Sequence, residues 1–198
     1  MIPTVAECFR LMDEYGMYDN IRAHSVLVAR VAERLACDLA ESGAAIVVEL
    51  VVAAALLHDI AKTPCIVNGG DHAAEGAAIC RKHGLGELVD IVGEHVVLAD
   101  GVCRHHCREK EVVYYADKRV KHDVVVSLDE RLRYILKHYG RGDEGLCAKI
   151  RRNFEHCHQV EAKLFALLPY RPQDVARLVA PHLAAGWQPA MQWQGICG

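Results

Sequence analysis

Residues 51–64 read VVAAALLHDIAKTP. Upstream of them Glu49 alone interrupts an apolar run from Ile46 to Leu57, and the run then ends on a histidine and an aspartate side by side, His58 and Asp59. The Val-rich start resembles a strand, but the length of the run and its continuation into AAALLHD read as a buried helix. A His-Asp pair at the edge of a core is costly unless some partner satisfies both groups.

Other segments show the same feature, because helical spacing says which way each side chain points. Ile21, His24, Val28, Val31 and Leu35 form one stripe, and His24 sits inside it. Val51, Ala54, Ala55 and His58 form a second, with Asp59 about 100° round the helix. Leu88, Ile91, Val92 and His95 make a third; Val113, Ala116, Val120 and Val124 define a face that includes Asp117. One inward histidine is ordinarily a core residue bonded to a backbone carbonyl. Four helices that each turn a histidine or aspartate inward point to a divalent cation, which satisfies carboxylates and neutral imidazoles together. His72, beside Asp71 at a helix start, has a less determined direction; with His95 it completes a second ligand set, and the two oxygens of Asp59 allow it to bridge both ions.

Helical punctuation fixes the class. Thr4 with Glu7 and Ser127 with Glu130 have capping-box spacing, and Gly16, Gly84 and Gly140 follow periodic segments. Helices are expected over 4–15, 20–41, 45–62, 72–83, 86–98, 110–122, 128–139, 143–168 and 173–185, an all-α bundle of eight or nine helices. The 198 residues are 52% hydrophobic and poor in aromatics, which fits one helical domain, 1–198. A metal-binding core is expected over 20–126, with further helices and a tail over 127–198. The last sixteen residues, LAAGWQPAMQWQGICG, carry no charge and are expected to pack on their own domain or on a second copy in a homodimer. The net charge of −3 gives no bias toward nucleic acid. The amino terminus lacks the pattern of a secretory signal and the run over 46–57 is short for a bilayer, so a soluble cytoplasmic protein with no membrane partner is expected. The nine cysteines, scattered and without a C-x-x-C pair, read as free thiols.

In these residues the chain resembles the HD-domain superfamily of metal-dependent phosphohydrolases. The likeness rests on His24 after a helix start, LLHDIAK (56–62), DHAAEGA (71–77), VGEHVV (92–97) and YYADKRV (114–120). It implies a first metal on His24, His58, Asp59 and Asp117, and His72 and His95 place the chain with the binuclear subset. The sequence is also similar to HD-domain hydrolases of diadenosine tetraphosphate, and it lacks the GYP signature of cyclic-di-GMP phosphodiesterases.

The chemistry expected is hydrolysis of a phosphate ester or anhydride of a small nucleotide by a metal-activated water. One or two ions of iron, manganese, cobalt, nickel or zinc suit the mixed nitrogen and oxygen ligands. Asp59 and Lys62 are the expected catalytic residues. Lys62, one turn beyond His58, and Lys121, one turn beyond Asp117, are expected to bind substrate phosphate, with Arg119 on another side of its helix as solvated charge. CRHHC (103–107) offers neither C-x-x-C nor a matching distant ligand pair for zinc, so His105 and His106 are expected in a loop near the site. HCH (156–158) reads as surface. Two other readings keep the ligands, a di-iron oxygenase and a non-catalytic nucleotide-binding module.

Overall fold

The computed structural model describes residues 1–103, 105–180 and 193. Among them the chain forms α1 (Val5–Glu14), α2 (Asp19–Glu41), α3 (Val48–Leu57), α4 (Lys62–Asn68), α5 (His72–Lys82), α6 (Val89–Glu94), α7 (Glu109–Lys118), α8 (Leu128–Tyr139), α9 (Glu144–Phe165) and α10 (Val175–Val179). A two-stranded ribbon, β1 (Val120–Lys121) and β2 (Val124–Val125), is the departure from helix, so the all-α class holds. The expected helices over 4–15, 20–41, 72–83 and 128–139 recur within a residue or so of their ends.

The caps are read correctly at the first helix and half correctly at the eighth. Thr4 Oγ1 accepts from the Glu7 N–H at 3.3 Å, and the Glu7 carboxylate accepts from the Thr4 N–H at 2.7 Å. Ser127 caps α8 through the Glu130 N–H at 3.1 Å, but the Glu130 carboxylate binds Lys121 Nζ at 2.6 Å instead of closing a box. Gly140 ends α8 for a steric reason: a Cβ there would lie 2.5 Å from the Leu136 carbonyl oxygen and 2.8 Å from Cys147 Sγ.

Three expected helices are corrected. The helix over 45–62 breaks after Leu57: the Ile60 N–H reaches Leu57 O and the Lys62 N–H reaches Asp59 O, tight turn bonds that carry the chain through His58–Ala61 before α4 begins. The helix over 86–98 is a 3-10 turn, Gly86–Leu88, followed by α6, which stops at Glu94 with His95 as its cap. The helix over 110–122 stops at Lys118, and Lys121 lies in β1, paired with Val124. The turn between the strands is His122 and Asp123, with His122 at φ 56°, a left-handed conformation in which histidine is one of the commoner non-glycine residues. Lacking glycine, it gives no hairpin signal in the sequence.

Buried hydrophobic residues from Cys8 in α1 to Val179 in α10 form one contiguous cluster. Its centre is α3, buried from Val51 to Leu57, between α2, α7 and α1. By length and composition Val48–Asn68 is apolar enough to cross a bilayer, yet 67% of the qualifying window is buried inside the fold. Of the tail, Trp193 lies among the described residues, its ring 3.6 Å from the Arg30 guanidinium and its Nε1 donating to Glu33 at 3.3 Å. The rest of the tail, and the expected helix beyond residue 180, lie outside the described residues. Cys8, Cys65, Cys80, Cys103, Cys107, Cys147 and Cys157 are free thiols, while Cys37 is disulfide-bonded and departs from that reading.

Candidate metal centre

The break after α3 puts His58 and Asp59 into a buried turn, 0% and 1% exposed. Four elements meet them there. α2 brings His24, the start of α5 brings His72, the end of α6 brings His95 and the last turn of α7 brings Asp117. The rings of His24, His58, His95 and His72 follow one another edge to face, with centroids 5.4, 5.0 and 5.2 Å apart. All six expected ligands therefore converge on one place. Small residues permit the approach of α5 to α6: a Cβ at Gly76 would lie 2.9 Å from Val92 Cγ1.

Three imidazoles share a hydrogen-bond arrangement. His58 Nδ1 meets Ala55 O at 2.7 Å, His95 Nδ1 meets Val92 O at 2.7 Å, and His24 Nδ1 meets His122 O at 3.0 Å. A carbonyl only accepts, so each Nδ1 donates there and each Nε2 is turned toward the carboxylates. His24 Nε2 is hydrogen-bonded to Asp117 Oδ1 at 3.1 Å, while His58 Nε2 stands 3.4 Å from Asp59 Oδ2 and 3.7 Å from Asp117 Oδ1. On the other side, Asp59 Oδ1 faces His72 Nε2 at 3.4 Å and His95 Nε2 at 3.6 Å. Wherever an imidazole nitrogen faces a carboxylate oxygen at these distances, a proton or a metal cation belongs between them.

Two buried atoms at this point, His58 Nε2 and Asp59 Oδ1, have no hydrogen-bond partner. A cation between the groups would satisfy both. The ligand atoms of His24, His58 and Asp59 lie within 4.8 Å of one another, as do those of Asp59, His72 and His95. Two ligand atoms bound at about 2.1 Å to one ion lie at most about 4.2 Å apart, and the 3.4 to 3.6 Å separations of Asp59 from His58, His72 and His95 fall within that, so Asp59 can belong to both trios.

Electrostatics keep the donors ready. Burial by itself would raise the Asp59 and Asp117 carboxyl groups, but imidazoles of His58 and His95 beside the first, and His24 and Lys118 beside the second, hold both well below the usual carboxylate range. Burial pushes His72 down to about 4 against the pull of Asp59, so its ring is neutral at pH 7. Lys62 donates to Asp59 Oδ2 at 2.7 Å, and Asp59 and Asp117 overcome its burial to raise it above the ordinary lysine value.

Lys62 reaches the site, though not as one more residue on the face of His58, since the helix breaks between them. Lys121 does not follow the expected geometry: it leaves α7 for β1 and is bound by Glu130. Arg119 is no solvated charge. It is 3% exposed and donates to Val126 O at 2.6 Å and Pro172 O at 2.9 Å, which ties the hairpin to the carboxy-terminal segment. Cys157 is fully buried, so the HCH segment is surface only in part. Cys103 Sγ lies 3.6 Å from His106 Nδ1, and among the described residues no metal-holding trio includes them.

Two supporting residues carry no periodic signal. Lys118, 3% exposed, donates to the His95 carbonyl at 2.8 Å and so links α7 to the loop after α6. His122 supplies the carbonyl that orients His24 and depends on the unforeseen hairpin for its position. Such partners of ligand histidines tune metal affinity.

The chain matches the family model described as HD domain over residues 21–121. It is 36% identical over 101 residues to the tRNA (cytidine(56)-2'-O)-methyltransferase of Thermoplasma volcanium, a match covering 48% of this chain and 27% of that protein. A protein of the same name from Picrophilus torridus is 29% identical over 148 residues, covering 65% of this chain and 40% of the relative. The chain thus spans well under half of either relative. No solved structure matches it significantly. The matched segment runs through each of the six converging side chains, and the chain belongs to the HD-domain family.

Proposed function

We propose that this protein is a cytoplasmic metal-dependent phosphohydrolase that cleaves a phosphate ester or anhydride of a small nucleotide. The observation that carries the reading is the convergence of imidazole nitrogens and carboxylate oxygens around His58 Nε2 and Asp59 Oδ1, two buried atoms without hydrogen-bond partners. His24, His58, Asp59 and Asp117 would hold one divalent ion, and Asp59, His72 and His95 a second. Mixed nitrogen and oxygen donors suit iron, manganese, cobalt, nickel or zinc. Bound there, such an ion supplies a Lewis acid and a water acidified toward neutrality.

The remaining work falls to the protein. Asp59 keeps its charge and divides its two oxygens between the trios. Lys62, 36% exposed in its side chain, stands at the open side of the buried carboxylate, where its ammonium can meet a non-bridging phosphoryl oxygen as charge develops there. α2, α5, α6 and α7, with the turn after α3, position the ligand side chains, and His58, Asp59 and His95 are almost wholly buried there. The relatives' names attach methyl transfer to tRNA to proteins far longer than the matched segment, and the ligand cluster favours hydrolysis for this chain.

The test is phosphate release by the full chain, stripped with chelator and reloaded with each ion, from mono-, di-, cyclic and dinucleoside phosphates. Release from at least one nucleotide, lost on stripping and restored on reloading, is expected. Lys62→Ala should lower kcat by about 10- to 100-fold and keep its bound metal. Iron-dependent oxygen uptake without phosphate release from any compound would contradict the proposal.

A further inference from the structure

A cleft of about 210 Å³ opens from the candidate centre, with His24, Asp59 and Lys62 at one end. Its opposite wall is built of residues beyond the family-matched segment 21–121: His122 from the ribbon turn, Arg131 and Tyr134 from α8, and Tyr139 at the end of that helix. The ring of Tyr134 is held by two histidines, with the Lys121 ammonium 6.0 Å and the Arg131 guanidinium 5.6 Å from its centroid. His138 stacks nearly parallel to it, centroids 4.1 Å apart and planes at 27°, and His122 meets it edge-on at 5.2 Å. The His122 backbone is itself tied to the centre, its carbonyl accepting from His24 Nδ1 at 3.0 Å. At the rim, Tyr139 is 55% exposed and Ile66, from α4, is 62% exposed, an apolar pair that a flat ring would cover.

Arg131 is the other unusual member. Its Nε is buried without a hydrogen-bond partner, its guanidinium lies over the Tyr134 ring at 5.6 Å from the centroid, and among the described residues it has no carboxylate within ion-pair distance. The neighbouring cations are engaged, Lys62 by Asp59 and Lys121 by Glu130. A planar cation left without an anion at the mouth of a hydrolytic centre matches the fork geometry of a phosphate.

We propose that α8 and the ribbon turn form the recognition wall for a nucleoside monophosphate, with Tyr134 stacking on the base and Arg131 meeting the phosphate. This rests on the phosphohydrolase reading of the same site and narrows it. About 210 Å³ is small for a ligand site, which favours one nucleoside phosphate over a dinucleoside polyphosphate. The aromatic wall supplies selectivity for a base without reading its identity, because every base has a face to stack.

The test compares nucleoside 5'-monophosphates with ribose 5-phosphate, which has the phosphate and sugar and no base, on the full metal-loaded chain. The nucleotides are expected to have at least a 10-fold higher kcat/KM, and Tyr134→Ala should lower that preference about 10-fold, mainly through KM, with Tyr134→Phe restoring it. Arg131→Ala should raise KM for nucleotides and ribose 5-phosphate alike. Tyr134→Leu keeps apolar volume and serves if the alanine variant fails to fold. Equal turnover of both substrate types, or a preference unmoved by the Tyr134 variants, would overturn the wall while leaving the hydrolase intact. If no compound releases phosphate, the hydrolase reading fails, and calorimetric binding of the nucleotides decides the wall separately: binding weakened by Tyr134→Ala supports it and no binding overturns it.

Discussion

His58 shows how a single side chain is committed by its neighbours. Its Nδ1 donates to the Ala55 carbonyl, its ring is fully buried, and its Nε2 faces two carboxylates held well below their usual range. His58 Nε2 and the facing Asp59 Oδ1 have no hydrogen-bond partner, and a cation would satisfy both. Direction was legible for His24, His58 and Asp117 because each lies on a stripe of helical period, and for Lys62 only in part, since its position depends on a turn. Arg131 was not legible, because its role comes from a missing carboxylate and no pattern records an absence. Elsewhere, single residues affect stability and not chemistry. Burial pushes the Cys8 and Cys157 thiols up to about 12 from the ordinary 9.0. Above pH 9 the unfolded chain loses those protons and the folded chain keeps them, so the folded state binds more protons and stability falls as pH rises toward 12. Chemical denaturation across that range should show the decline, with a shallower slope in Cys8→Ala; an identical slope would assign it to other groups.

At the level of elements, the site depends on where helices stop. The break between α3 and α4 makes the His-Asp turn, the end of α6 presents His95, and the end of α7 releases the chain into the ribbon that supplies His122. Apolar periodicity identifies the helices well and their ends poorly, because turn bonds such as Lys62 N–H to Asp59 O leave no composition signature. The packing of α5 on α6 is the most exposed to test. Gly76 has no room for a Cβ, Val92 being β-branched and unable to swing away, so Gly76→Ala should destabilise the fold by about 1–3 kcal/mol. It should also separate His72 from His95 and lower the metal retained by that trio. Denaturation midpoints and elemental analysis measure both effects, and a variant unchanged in both would contradict the close approach.

Across the whole molecule, the family segment supplies the candidate metal ligands while α8 and the ribbon turn wall the opening. The first half was readable from sequence as an all-helical metal protein; the second was not, since the cleft forms only when α8 folds back beside α2 and α4. The two halves meet at the ribbon, where the His122 carbonyl orients His24 and its ring supports Tyr134. This makes metal binding the condition on which every later step depends. The most direct measurement is elemental analysis of the purified full chain after equilibration with iron, manganese, cobalt, nickel and zinc, beside Asp59→Ala shown by circular dichroism to be folded. One or two ions per wild-type chain and none in the variant are expected; a wild-type chain that retains no ion, or a folded variant that retains the same number, would contradict the account.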